Sequence, residues 1–169
     1  MTFNEYTIKK KKGAKDILIS ISLYLLATLL SIVLLILFMQ FAQITLLVCF
    51  GIFYMANWFS AKLNKEYEYI FTQDNICIDV ILNKSRRKRI ISFDLDEVEI
   101  IAATDNQTYK HELSKQYDKT VDATSGSKLA IVYFAVVNRE RRVLIKFEPP
   151  YTALKEIYKY APSKIKIEG

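Results

Sequence analysis

The spacing of hydrophobic and polar positions changes three times along this chain. Up to Asp16 the sequence is polar and rich in lysine. From Ile17 to Ala61, forty-five residues pass without one charged side chain. From Glu66 onward apolar and polar residues alternate, and towards the end apolar residues recur at three- and four-residue steps. The uncharged stretch is too long for a single membrane-crossing helix. It would reach about 68 Å at 1.5 Å per residue, against a hydrocarbon core of about 30 Å. Two helices fit, at about 17–39 and about 42–60, in a transmembrane α-helical hairpin. The turn is expected at Met39-Gln40-Phe41-Ala42-Gln43, because the two glutamines are the strongly polar side chains nearest the middle. It holds no Gly, Pro or Asn, the usual turn formers. Asn57 and Trp58 suit a membrane interface. A cleaved secretory leader fits less well, since its apolar core is only about 7–15 residues long. A buried hairpin in a soluble core fits less well too, because both helices are apolar on every face. A single span with a re-entrant remainder would leave non-helical backbone at membrane depth.

Beyond Glu66 the alternation has period two, the mark of half-buried strands. Tyr67, Tyr69 and Phe71 form one apolar set, and Ile76, Ile78, Val80 and Leu82 a second. Ile91, Phe93 and Leu95 make a third, and Val98, Ile100 and Ala102 a fourth. The short breaks at 73–75 and 83–86 call for antiparallel hairpins. Residues 104–126 lose the period, with a short strand or helical turn expected around His111, Leu113 and Tyr117. Lys128 to Val137 reads as one continuous strand buried on both faces, followed across Asn138–Arg141 by Arg142 to Phe147. Pro149 and Pro150 suit the first turn of a helix. Its apolar face would hold Tyr151, Leu154, Ile157, Tyr158 and Ala161. Ile165-Lys166-Ile167 is expected to add an edge strand. The organisation is thus a basic N-terminus over 1–16, a two-helix hairpin over 17–61, and a domain over 62–169. That domain is α+β, mostly antiparallel, with a C-terminal helix.

Charge divides along the same lines. Residues 1–65 hold 7 Lys and 2 acidic residues, a net of +5, whereas 66–169 hold 17 basic and 16 acidic residues, a net of +1. Lys9, Lys10, Lys11, Lys12 and Lys15 precede the first helix, Lys62 and Lys65 follow the second, and the connecting turn has none. Lysines stay on the cytoplasmic side of a span. Both termini are therefore expected in the cytoplasm, with the protein in the cell membrane. A reporter active only outside, fused at Gly169, should stay silent. The near-neutral domain argues against nucleic-acid binding, which wants a basic excess on the folded part.

The sharpest candidate for binding is Arg86-Arg87-Lys88-Arg89, read as a hairpin tip. A second basic tip holds Arg139, Arg141 and Arg142. Guanidinium groups grip oxyanions in a fork, so these residues could receive anionic lipid headgroups or an acidic partner. Solubilising charges at strand turns and edges are the commoner explanation of such residues. The acidic run Asp94, Asp96, Glu97 and Glu99 reads as a solvated face balancing the arginines. On one strand Asp94 and Asp96 share one face and Glu97 and Glu99 the other, so the four would need a sharp bend to converge on one ion. His111 is the lone histidine, and no Ser/His/Asp or Cys/His set or zinc site is built around it. Cys49 and Cys77 form no pair. No cofactor is implied. Ser20, Ser22, Thr28, Ser31 and Thr45 are expected to line a contact between the helices, with Gly51 and Ala56 as close-packing points.

Four strands, an irregular stretch, further strands and a closing helix resemble the pleckstrin-homology-like domain. Lys9–Lys12, Glu66-Tyr67-Glu68-Tyr69 and Arg86-Arg87-Lys88-Arg89 are also similar to a bacterial family of small two-span membrane proteins that carry such a domain. The resemblance implies a bent antiparallel sheet, or partial barrel, plugged by the C-terminal helix, and it supplies no assigned reaction. The expected role is a non-enzymatic binding or scaffolding module held at the bilayer. An accessory subunit of a larger membrane complex is the alternative, and an enzyme, tested by mutating His111 or Asp94, stands third.

Overall fold

A computed structural model describes residues 4–166. Ile167, expected in the tail strand, and Gly169, the proposed reporter site, lie outside the described residues. The chain forms two compact units. One runs up to Lys11 and resumes at Glu66, apart from 82–84; the other holds Lys12–Lys65 with Leu82–Lys84.

The helical unit contains α1 (Ala14–Leu37) and α2 (Ala42–Ala61). Both are long and apolar enough to cross a membrane. Asp16 opens α1, its carboxylate accepting from Gly13 N–H at 3.1 Å where the helix dipole favours negative charge. A single 3₁₀ turn, Met39–Phe41, joins the helices. Its flanks, Phe38 and Phe41, keep φ at −116° and −112°. The link needs no left-handed residue, which is why it forms without Gly or Asn.

The seam between α1 and α2 buries Ala27 and Ser31 against Thr45, Cys49, Ala56 and Ser60. Small side chains let two apolar helices approach closely. Ser60 donates to Ser20 Oγ at 3.0 Å, and Tyr24 OH to Asn57 Oδ1 at 3.2 Å. Ser20, Ser31, Thr45 and Ala56 therefore take the positions expected of them. Ser22, Thr28 and Gly51 are exposed on the outer faces. Thr28 returns its hydroxyl to Tyr24 O at 2.8 Å, so it needs no partner on the other helix.

The second unit is built from two sheets. The first has the order β1-β2-β3-β4, with β1 Asn4–Lys9, β2 Lys65–Phe71, β3 Asn75–Leu82 and β4 Arg86–Asp94. The second is ordered β6-β8-β7-β5-β9, from β5 (Val98–Ala103), β6 (Lys119–Asp122), β7 (Tyr133–Asn138), β8 (Arg142–Phe147) and β9 (Ile165–Lys166). The sheets are not closed into a barrel. α3 (Tyr151–Tyr158) sinks Ala153, Leu154 and Ile157 into the core between them. Tyr69 ties the layers together. Its hydroxyl donates to Ala123 O at 2.6 Å and accepts from Glu148 N–H at 3.1 Å, while its ring meets Phe147 edge-on at 5.9 Å.

The basic N-terminus over 1–16 also carries a strand, β1, which the alternation of the later segments did not point to. Asn4 to Lys9 pair antiparallel with β2, from Asn4↔Phe71 to Lys9↔Glu66. Tyr6 and Ile8 turn inward and pack on the core, while Glu5, Thr7 and Lys9 face out. The helical hairpin is therefore an insertion between two neighbouring strands of one sheet.

Two further expectations need correction. Lys128–Val137 is not one strand: β7 starts only at Tyr133, opposite Ala103, where β5 ends. Residues before it have no strand to pair with, and Leu129 is left 95% exposed. From Tyr133 to Val137 β7 is buried on both faces, because the 104–117 segment covers the outer side with Tyr109, Leu113 and Tyr117. That segment holds a 3₁₀ turn, Lys110–Ser114. On α3, Tyr151 and Tyr158 lie outside the buried stripe and are exposed.

Candidate binding surfaces

The basic run is part of a strand rather than a tip. The β3–β4 turn is made by Asn83 and Lys84, both left-handed at φ 50° and 56°, as tight two-residue hairpins require. It is complete by Ser85, so Arg86, Arg87, Lys88 and Arg89 begin β4. Two of the four cations are already engaged. Arg87 Nη2 reaches Glu68 Oε1 at 2.8 Å, and Arg89 Nε reaches Asp79 Oδ1 at 3.1 Å. Glu68 and Asp79 are buried polar residues of β2 and β3. Burial pushes the Glu68 carboxyl above its ordinary 4.5, with Arg87 pulling it back and Glu5 and Asp79 adding to the rise. Its Oε2 is buried with no hydrogen-bond partner. Arg86 and Lys88 have no carboxylate partner among the described residues.

The second basic group lies at the opposite end of β4. Arg139 pairs with Glu97, just past the close of β4, at 2.5 Å. Arg142 pairs with Glu99 at 2.5 Å and stacks 5.3 Å from the Tyr117 ring. β4 is nine residues long, so Arg86 and this group stand about 27 Å apart along an extended strand. The two basic groups do not merge into one patch. Arg139 holds the Glu97 carboxyl below the usual range. Burial, with Glu112 beside it, pushes Tyr117 up to about 12. Arg141 has no partner among the described residues.

The acidic run is broken by a 3₁₀ turn, Leu95–Glu97, in which Glu97 accepts from Asp94 N–H at 2.9 Å. Glu97 and Glu99 balance the arginines of the β7–β8 end, not the Arg86–Arg89 run. His111 sits on its own 3₁₀ turn, Nδ1 3.0 Å from Thr108 O and Nε2 3.0 Å from Glu112 Oε1.

Antiparallel pairing gathers other cations. β1 ends at Lys9 beside the start of β2, and short hairpins bring the end of β3 and the start of β4 to that same end. Lys9 and Arg86 thus share one end of the first sheet, with Lys10 and Lys11 following Lys9. Lys10 lies 5.8 Å from the Tyr67 ring centre, and Lys11 N–H bonds Ser125 O at 2.8 Å. In the helical unit Lys62 lies 3.2 Å over the Trp58 ring, an arrangement suited to a membrane interface.

Several clefts open on the sheet unit, one of about 530 Å³ beside Asp94 and Asp96 and two larger. The first of these two, of about 720 Å³, is lined by Asp105, Tyr109, Tyr151, Lys155 and Tyr158. The other, of about 680 Å³, runs beside β4, with Ile91, Phe93, Val137 and Val143 as its floor.

Two antiparallel-rich sheets plugged by a C-terminal helix define an α+β domain of the pleckstrin-homology-like class, and domains of this class are generally non-catalytic. The chain belongs to the family described as bacterial PH-like domain (DUF6106), whose family model matches residues 2–167. That span takes in β1 and both long helices as well as the sheets. No curated protein and no solved structure matches the chain.

Proposed function

We propose that this protein is a membrane-anchored, non-enzymatic binding module of the cell membrane. Its helical hairpin crosses the bilayer twice, and the sheet domain stays on the cytoplasmic side with both termini. The observation that carries this reading is the pairing of Lys9 with Glu66. Adjacent residues of one sheet cannot lie on opposite sides of a membrane, so whatever lies between them must cross an even number of times. The lysines at both ends and their absence from the turn assign that side to the cytoplasm.

Anchoring raises the effective concentration of the domain at the bilayer, so weak contacts suffice. Lys9, Lys10, Lys11, Lys12, Lys15, Lys62 and Lys65 face anionic headgroups in this reading, each contributing about 1 kcal/mol near the surface. The test is amide exchange of the full chain in nanodiscs with and without about 30% anionic lipid. Anionic lipid should slow exchange around Lys9–Lys12, and salt should reverse the effect. Replacing Lys9, Lys10 and Lys11 by Gln should weaken it markedly. Exchange indifferent to lipid charge would remove the headgroup contact and leave the anchor standing.

A further inference from the structure

We propose that the open edge of β4 is a docking strip for an extended segment of another protein, apolar at alternate positions and acidic between them. β4 closes its sheet on one side, so alternate backbone groups along it face no neighbouring strand. Beyond its pairing with β3, β4 makes no backbone bond to another segment from Arg86 to Asp94 among the described residues; the next is Leu95 N–H to Asp74 O. Open edges accept further strands, and proteins usually blunt them with charge. Here cationic charge covers only the first half, Arg86–Arg89. The stretch that follows, Ile90-Ile91-Ser92-Phe93, carries no charge, and the strand ends on the exposed Asp94.

That uncharged stretch borders the cleft of about 680 Å³, whose floor is Ile91, Phe93, Val137 and Val143. An added strand would place alternate side chains over this floor. Charge then selects the partner. Arg87, Arg89 and Arg139 are held by Glu68, Asp79 and Glu97. Arg86, Lys88 and Arg141 remain without carboxylate partners among the described residues, against Asp94, whose carboxylate accepts from Asn75, and Glu140, which shares the cleft's rim with the Arg139-bound Glu97. The strip therefore favours carboxylates.

A second copy does not fit. The β4 edge of a second copy brings its own Arg86–Arg89 and only Asp94 as a carboxylate, so it does not offer the acidic positions that the strip favours. The occupant is a different chain.

The test uses the full-length protein in neutral detergent and a fluorescent nine-residue peptide alternating Val and Glu. Anisotropy should show saturable binding, at least about tenfold tighter than for the Val/Lys peptide. N-methylation of every central amide should weaken it by about tenfold or more, because strand addition rests on main-chain hydrogen bonds. Combining Arg86→Glu, Lys88→Glu and Arg141→Glu should reverse the preference; these side chains hold no carboxylate partner among the described residues, so the fold should tolerate the change. Bound peptide should slow amide exchange along residues 86–93. Equal binding of the N-methylated peptide, protection at another edge, or no saturable binding would each overturn the proposal. None of these results bears on the lipid contact, which is read at Lys9–Lys12.

Discussion

Cut away from everything before residue 66, the C-terminal segment should lose most of its stability. The cut removes β1, its six paired residues with β2, and the inward packing of Tyr6 and Ile8. It also removes the Lys11 N–H bond to Ser125 O and the contact between Asn4 and Glu156 on α3. Two half-buried side chains alone account for about 3 kcal/mol, against a typical domain stability of about 5–15 kcal/mol. The newly opened edge of β2, whose Tyr67, Tyr69 and Phe71 lie in the core, adds a route to aggregation. The remedy follows from the register. Since Lys9 sits beside Glu66, a short Gly/Ser loop from Lys11 to Lys65 should replace the whole hairpin and restore a soluble, cooperatively folding domain. Circular dichroism with urea titration compares the two chains. Equal cooperativity of the segment cut at 66 would show that β1 is dispensable.

Replacing Arg87 by Met should destabilise the full chain by about 1–3 kcal/mol, because a buried carboxylate is left without its one ionic partner. Glu68 is the residue that suffers: its side chain is 5% exposed, and Oε2 already lacks a hydrogen bond. The loss should depend on pH. Burial raises the Glu68 pKa, so the folded state favours the neutral acid and stability falls as pH rises through that raised pKa. Arg87 opposes this by favouring the charged form. Without it the rise grows, and the variant should lose more at about pH 8 than at about pH 5. Glu68→Gln in the Arg87→Met background should return most of the loss, since a neutral amide needs no counter-ion. Thermal unfolding in detergent at both pH values measures it. A loss independent of pH, or no recovery with Glu68→Gln, would contradict the account of this pair.

Much of the molecule was legible in period alone. The uncharged run predicted two helices, and alternation predicted β2, β3, β5 and the second half of β4. β1 was missed although Tyr6 and Ile8 alternate with Glu5 and Thr7. Six residues beside a run of lysines are a weak signal, and the partner strand lies beyond the entire hairpin. Lys128–Val132 misled in the opposite direction. Apolar composition marks what can be buried, but a strand also needs a neighbour, and β5 stops at Ala103. For the candidate sites, residue types were legible and pairings were not. Arg86–Arg89 read as four equivalent cations at a tip. The structure separates them into two held by Glu68 and Asp79 and two left unpaired. That distinction depends on which strands lie side by side, which spacing along the chain does not encode. Gly51 illustrates the same limit inside the hairpin, where the seam is set by helix rotation rather than by residue size.

The central claim is that the segment between β1 and β2 crosses the bilayer twice and returns. Single cysteines decide it, in a chain with Cys49→Ala and Cys77→Ser. Gln40→Cys, in the turn between α1 and α2, should react with a membrane-impermeant maleimide added outside intact cells. Ser85→Cys, in the β3–β4 turn, should react only after the membrane is opened. Labelling of Ser85→Cys in intact cells, or labelling of Gln40→Cys only after permeabilisation, would contradict the two-span hairpin with a cytoplasmic domain.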